Sequence, residues 1–169
     1  MTKGLLVTGR VRGTIAALTA VGALALAGCS SNDTAAVVDG DRISLSAANA
    51  AAKQVNDQFS PTTPLTTTDA LNLLIIAPTI IDASAKAGRP QSAQAARTQF
   101  TKVSDPDPAS VELVQANSAL QGFDASSEKE LLARIAKLKV TVSPRFGTFD
   151  PAKPGIVASK PAWIVTSAK

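Results

Sequence analysis

No histidine and no tyrosine occur in this 169-residue sequence, and cysteine and tryptophan occur once each. These absences remove chemistry before any fold is considered. Without histidine there is no Ser-His-Asp or Cys-His relay, and the usual zinc sites, which draw on several cysteine and histidine ligands, cannot assemble. A lone cysteine excludes an intramolecular disulfide, so a folded domain must be stable by packing alone. No phosphate-cradling P-loop and no G-x-G-x-x-G sequence is present, so nucleotide binding has no local support. Paired carboxylates remain, at Asp39 and Asp41, Asp105 and Asp107, and Glu128 and Glu130. Each pair has a simpler role: turn residues, a cap beside proline, and first-turn charges that suit a helix dipole. The reading is therefore of a chain without cofactor, metal site or catalytic centre.

Aromatic residues make up only 4% of the chain against 45% apolar residues overall. The apolar content is small and aliphatic, which favours helices over a β-sandwich. The formal charge of +4 is concentrated at the start. Lys3, Arg10 and Arg12 precede the first apolar run, and all 13 acidic residues lie beyond Cys29. The chain beyond that run is nearly neutral, and it offers neither a dense basic face nor aromatic platforms for nucleic acid.

The single cysteine is explained by its surroundings. A basic start (MTKGLLVTGRVRG) leads into an uncharged run and then into small residues before Cys29, which is the grammar of a signal peptide. The run from Thr14 to Gly28 falls short of the ~20 residues that a permanent transmembrane helix needs. An ordinary secretory leader, or a buried free cysteine, is the plainer alternative. The four residues Leu26, Ala27, Gly28 and Cys29 read LAGC, however, and this resembles the lipobox of bacterial lipoproteins. That resemblance implies a diacylglyceryl group on the Cys29 thiol, cleavage before Cys29, and retention on the outer face of the bacterial cytoplasmic membrane. Each buried methylene adds about 0.8 kcal/mol of membrane affinity, so two or three acyl chains hold a protein firmly where one is marginal.

Beyond the cysteine, Ser30–Ala35 reads as a short polar tether. In AAVVDGDRISLS, alternating apolar residues flank Asp39-Gly40, which predicts two strands about a tight turn. Ser46 is then expected to cap a helix reaching Phe59, with Ala51, Val55 and Phe59 on its inner face. A proline- and threonine-rich loop, 60–68, precedes a second helix from Thr68 or Asp69, closed by Gly88 and Pro90. Its middle, LNLLIIAPTII, is apolar on nearly every side and reads as a central core helix that Pro78 kinks or divides. Further helices are predicted over 91–103, from Pro108 with Asp107 as its cap, and from a Ser127/Glu130 capping box with Leu131, Leu132, Ile135 and Leu138 on the apolar side. Leu138, Val140 and Val142 alternate as a strand that Pro144 halts. The remainder, with three prolines and no sustained period, is expected to be a flexible tail; in it Trp163, Ile164 and Val165 form an apolar triplet that either docks or hangs loose.

Two segments carry a family resemblance. AVVDGDRISLSAANAAAKQV (36–55) resembles the opening hairpin and helix of the SurA amino-terminal region, shared in outline with PrsA-type foldases and trigger factor. VTVSPRFGTFDP (140–151) is similar to the closing strand of small actinobacterial lipoproteins with that domain, Phe149 standing where tryptophan is expected. The resemblance implies a mainly α fold of about five helices, with a small β-sheet formed by the N-terminal hairpin and a C-terminal strand. It implies chaperone-like binding of exported unfolded polypeptides as partners; the parvulin modules of SurA and PrsA have no room here, so prolyl isomerase activity is not expected. An alternative is a scaffold lipoprotein docking one envelope partner. The expected organisation is a leader over 1–28, lipidated Cys29 and tether to 35, a SurA-N-like domain over 36–149, and the tail over 150–169. Metabolic labelling with palmitate should mark this protein, and Cys29→Ala should abolish the label and leave the leader in place; an unlabelled parent chain contradicts the lipoprotein assignment.

Overall fold

The computed structural model describes residues 33–158. The described residues are mainly α, with five helices and small antiparallel sheets. It opens on β1 (Thr34–Val38) and β2 (Asp41–Ser44). These pair antiparallel around Asp39 and Gly40, whose φ values of 51° and 103° place both in the left-handed region that the tight hairpin demands. Helix α1 (Leu45–Phe59) begins at the end of β2. Its cap is Ser44, whose side chain accepts from the Ala47 N–H, and not Ser46 as the sequence led us to expect. Ser46 is already inside the helix, and its N–H and hydroxyl both donate to Asp33.

Helix α2 (Thr67–Lys86) starts one residue earlier than expected, on a capping box between Thr66 and Asp69. It ends in a Schellman motif, with the Arg89 N–H on the Ser84 carbonyl and the Gly88 N–H on that of Ala85. Pro78 does not divide it. A mid-helix proline costs about 3 kcal/mol, yet Leu71, Leu74 and Ile75 before it and Ile80 and Ala83 after it are all buried. At about 1.5–3 kcal/mol for each large side chain, packing on both flanks outweighs the break.

Between α2 and the next long helix lies α3 (Ala93–Arg97), much shorter than the helix expected over 91–103. The Thr98 hydroxyl turns back to the Ala95 carbonyl, and the Gln58 side chain captures the Lys102 N–H and the Thr101 hydroxyl. These bonds replace the helical ones. Helix α4 (Pro108–Leu120) starts as expected, with Asp107 accepting from the Ala109 N–H and proline in the first turn. Helix α5 (Ala125–Ile135) begins on an Asp124–Ser127 capping box, one turn ahead of the expected Ser127–Glu130 box. Asp124 offers a stronger acceptor to the free N–H groups at the helix start, and its pKa is lowered by the bonds from Ser127.

Strand β3 (Val140–Val142) returns to pair with β1, giving the sheet order β2-β1-β3. Hairpin and closing strand thus meet in one sheet. Two expectations at the margins change. Thr34 and Ala35 belong to β1, with Ala35 fully buried, so the tether ends sooner than position 35. The tail expected from 150 begins folded, because β4 (Thr148–Asp150) pairs with β5 (Gly155–Val157). Gly147 permits this pairing: at its φ of 118° any Cβ would overlap the Val157 carbonyl.

The core gathers around α2, which packs against α1, α4, α5, β1, β2 and β5. Among the described residues, α2 is the one helix long and apolar enough to span a membrane. Here it is the hub of a helical domain. Its neighbours are rich in alanine: Ala48, Ala51 and Ala52 on α1, and Ala109, Ala116 and Ala119 on α4, are buried. Small side chains let helix axes approach closely. Replacing fully buried Leu71 by alanine should lower unfolding free energy by about 2–5 kcal/mol, measured by urea titration, whereas exposed Leu132→Ala should stay within roughly 0.5 kcal/mol; equal losses would contradict this core.

Candidate functional site

Concave surface flanks α2 on two sides. On one side, two adjoining cavities of about 560 and 570 Å³ share Pro78, Pro108 and Glu112 as walls. Glu112 projects from α4 and is half-buried, and that desolvation raises its carboxyl pKa above the ordinary value. Asp39, Asp41, Arg42 and Asp107 edge the same cleft. Of these, Asp39 accepts from the Lys139 N–H at 2.9 Å and Asp107 caps α4. Both carboxylates thus serve the fold.

Of the other expected carboxylate pairs, Asp105 and Glu130 each face a cation. Asp105 lies 3.9 Å from Arg97 on the open surface. Glu130 pairs with Arg134 at 2.6 Å, and Arg134 reaches across to Asp82 at 3.3 Å, tying α5 to α2. Among the described residues, no group of three or more His, Cys, Asp or Glu is placed to hold a metal ion.

The other side is walled chiefly by large apolar side chains. One hollow of about 270 Å³ is walled by Phe59, Leu65, Leu73, Leu113 and Val114. Another of about 480 Å³ is walled by Ile76, Ile80, Leu120, Phe123, Leu131 and Leu132. Leu73 and Ile76 are three residues apart on α2, as are Asn117 and Leu120 on α4, so the two hollows lie on neighbouring helical turns. Large apolar side chains stand open beside them: Phe59 is 44% exposed, Leu73 37%, Leu120 40% and Leu132 45%. Together they form an apolar strip.

Sequence reasoning placed Phe59 and Leu132 on inner faces, and the structure places both at the surface. On α1 the buried neighbour is Gln58, which is drawn inward by its bonds to Thr101 and Lys102. Phe59 is then left to meet Phe100 edge-on, with ring centroids 5.8 Å apart. On α5, Leu131 and Ile135 fill the core-facing positions and Leu132 falls beside them. No local pattern distinguishes these leucines; only the shape of the shell around α2 does.

The lipobox residues Leu26, Ala27 and Gly28, the lipidation candidate Cys29, and Trp163 lie outside the described residues. What is visible is the point where the chain joins the domain: Asp33 is fixed by Ser46, three residues after Ser30. No family model, curated protein or solved structure matches this chain.

The raised pKa of Glu112 has a definite sign for stability. Its folded value lies above its unfolded value, so the folded state binds the proton more tightly and stability falls as pH rises from the ordinary carboxylate range through the raised value. Glu112→Gln should therefore raise stability at pH 7 and remove this part of the pH dependence, as followed by thermal unfolding; a loss of stability at pH 7 would show that the charged form is held by a favourable contact.

Proposed function

We propose that this chain is a lipid-anchored lipoprotein of the bacterial cell envelope whose helical domain holds unfolded segments of exported polypeptides on the apolar strip, without catalysis. The observation that carries this reading is the set of open side chains Phe59, Leu73, Leu120 and Leu132 beside two apolar hollows. Isolated exposed leucines are common on protein surfaces, whereas a group of them lining concavities marks a contact site. A partner that covers them releases water from apolar surface and needs no sequence-specific bonds. The LAGC lipobox and the likeness of the two terminal segments to SurA-type lipoproteins support the same reading.

The energetics favour a weak, reversible grip. Fully burying a large apolar side chain is worth about 1.5–3 kcal/mol, and these four are already partly covered, so each adds about 1 kcal/mol. The sum of several kcal/mol must offset association costs of at least about 4 kcal/mol. Clients would exchange quickly, as a holding chaperone requires. A chain tethered through Cys29 a few residues before Asp33 would keep the strip close to the membrane surface, where exported chains emerge.

The test uses the chain from Ser30 onward, which contains every described residue. At stoichiometric excess it should suppress light scattering from citrate synthase unfolding at elevated temperature. The double variant Leu120→Asp/Leu132→Asp should lose most of that effect with unchanged far-UV circular dichroism. No suppression by the parent chain, or full suppression by the double variant, would overturn the assignment to this strip.

A further inference from the structure

The cleft around Pro78 and Pro108 holds a charge that the fold leaves unanswered. Glu112 walls both of its cavities, and among the described residues its half-buried carboxylate meets neither a hydrogen-bond donor nor a cation. The polar neighbours are engaged elsewhere. Arg97 donates to the Pro106 carbonyl at 3.2 Å and faces Asp105, and the Gln115 amide donates to the Gln91 carbonyl at 2.8 Å. A carboxylate that loses water without gaining a partner costs stability, so Glu112 does not hold the fold together.

The residues lining the cleft define what would answer that charge. Five carboxylates, Asp39, Asp41, Asp82, Asp107 and Glu112, face two guanidiniums, Arg42 and Arg97. The surplus favours a cation and opposes an anion. No three metal-ligating side chains come together among the described residues, which turns the reading from a metal ion to an organic cation. The lining residues of the two cavities include no aromatic ring, and ring faces are what recognise a quaternary ammonium. A carboxylate instead receives a cation through its N–H donors, in a charge-assisted hydrogen bond. Around Glu112 the walls are aliphatic: Ile81 and Val111 in one cavity, Leu74 and Ile75 in the other, Pro78 and Pro108 in both. Volumes of about 560 and 570 Å³ are in the range of small-ligand sites.

We propose that this cleft binds an organic cation with N–H donors, a primary ammonium or guanidinium on an aliphatic stem, with the Glu112 carboxylate accepting from the cation and the stem lying against the aliphatic walls. The cleft and the apolar strip share no lining residue, so this site stands or falls apart from the client-binding reading.

Titration of the 30–169 chain with hexylamine, followed by methyl NMR, tests the site. Saturable shifts are expected at Ile81 and Val111, without shifts at Leu120 and Leu132 on the strip. Glu112→Gln, which keeps the side-chain shape and should fold at least as stably as the parent, should weaken binding about tenfold, the worth of one hydrogen bond to a charged group. Asp57→Asn, which removes the same charge from the exposed surface of α1, should leave binding unchanged. Hexanoate reverses the charge on the same stem and hexyltrimethylammonium removes the N–H donors; both should bind more weakly by about the same factor. Acetyl-Gly-Lys-Gly amide presents the ammonium on a polypeptide, and whichever of it and hexylamine binds more tightly identifies the source while upholding the site. No saturable binding, shifts confined to Leu120 and Leu132, unchanged affinity in Glu112→Gln, or equal binding of either analogue would overturn the proposal.

Discussion

The constraint that organises this domain is the all-round apolarity of α2. A helix with LNLLIIAPTII at its middle carries apolar side chains on nearly every face, so the rest of the chain packs round most of it. Helices α1, α4 and α5 and strands β1, β2 and β5 close round it, and none of them is long enough to do so alone. Alanine in the contacting faces of α1 and α4 brings those helices near, which removes water efficiently but supplies little bulk. Enclosure is therefore incomplete at the edges. One gap is lined by Pro78, Pro108 and Glu112; where Leu73, Ile76, Leu120 and Leu132 line the other, large apolar side chains stay open.

Polar side chains keep this arrangement in register. Asn56 reads the Leu65 backbone with both ends of its amide, at 2.9 and 2.8 Å, and so pins the proline- and threonine-rich loop against α1. Gln54 accepts from the Asp107 N–H and the Ser110 hydroxyl at 2.7 Å each, locking the start of α4 to α1. Gln58 does the same for the turn after α3. With no disulfide available, these bonds take over the task of fixing loops to the helical frame, each contributing about 1 kcal/mol. A strip held on such a frame is preformed, so little ordering free energy is spent when a partner covers it.

Local chemistry made much of the fold legible. Asp39-Gly40 specifies the hairpin, Asp107-Pro108 the start of α4, and Gly88 the end of α2, because each is a short-range demand of backbone geometry. The helix starts are ambiguous where two caps compete within one turn, as Ser44 with Ser46 and Asp124 with Ser127. Elsewhere distant contacts decide the outcome. The β4–β5 hairpin has strands of three residues each among prolines, and its anchor is Asn72 on α2, far away in sequence. The apolar strip was illegible for the same reason: periodicity assigns Phe59 and Leu132 to a buried face, and only the assembled shell reveals that α2 has no further room for them.

The proposed function requires that the surface left uncovered around α2 grip unfolded chains. Methyl NMR of the leucine, isoleucine and valine side chains during titration with a permanently unfolded polypeptide tests it most directly. Shifts are expected at Leu73, Ile76, Leu120 and Leu132, with Leu71 and Ile75 in the core unmoved. Shifts confined to Ile81 and Val111 on the opposite cleft, or none at all, would contradict it.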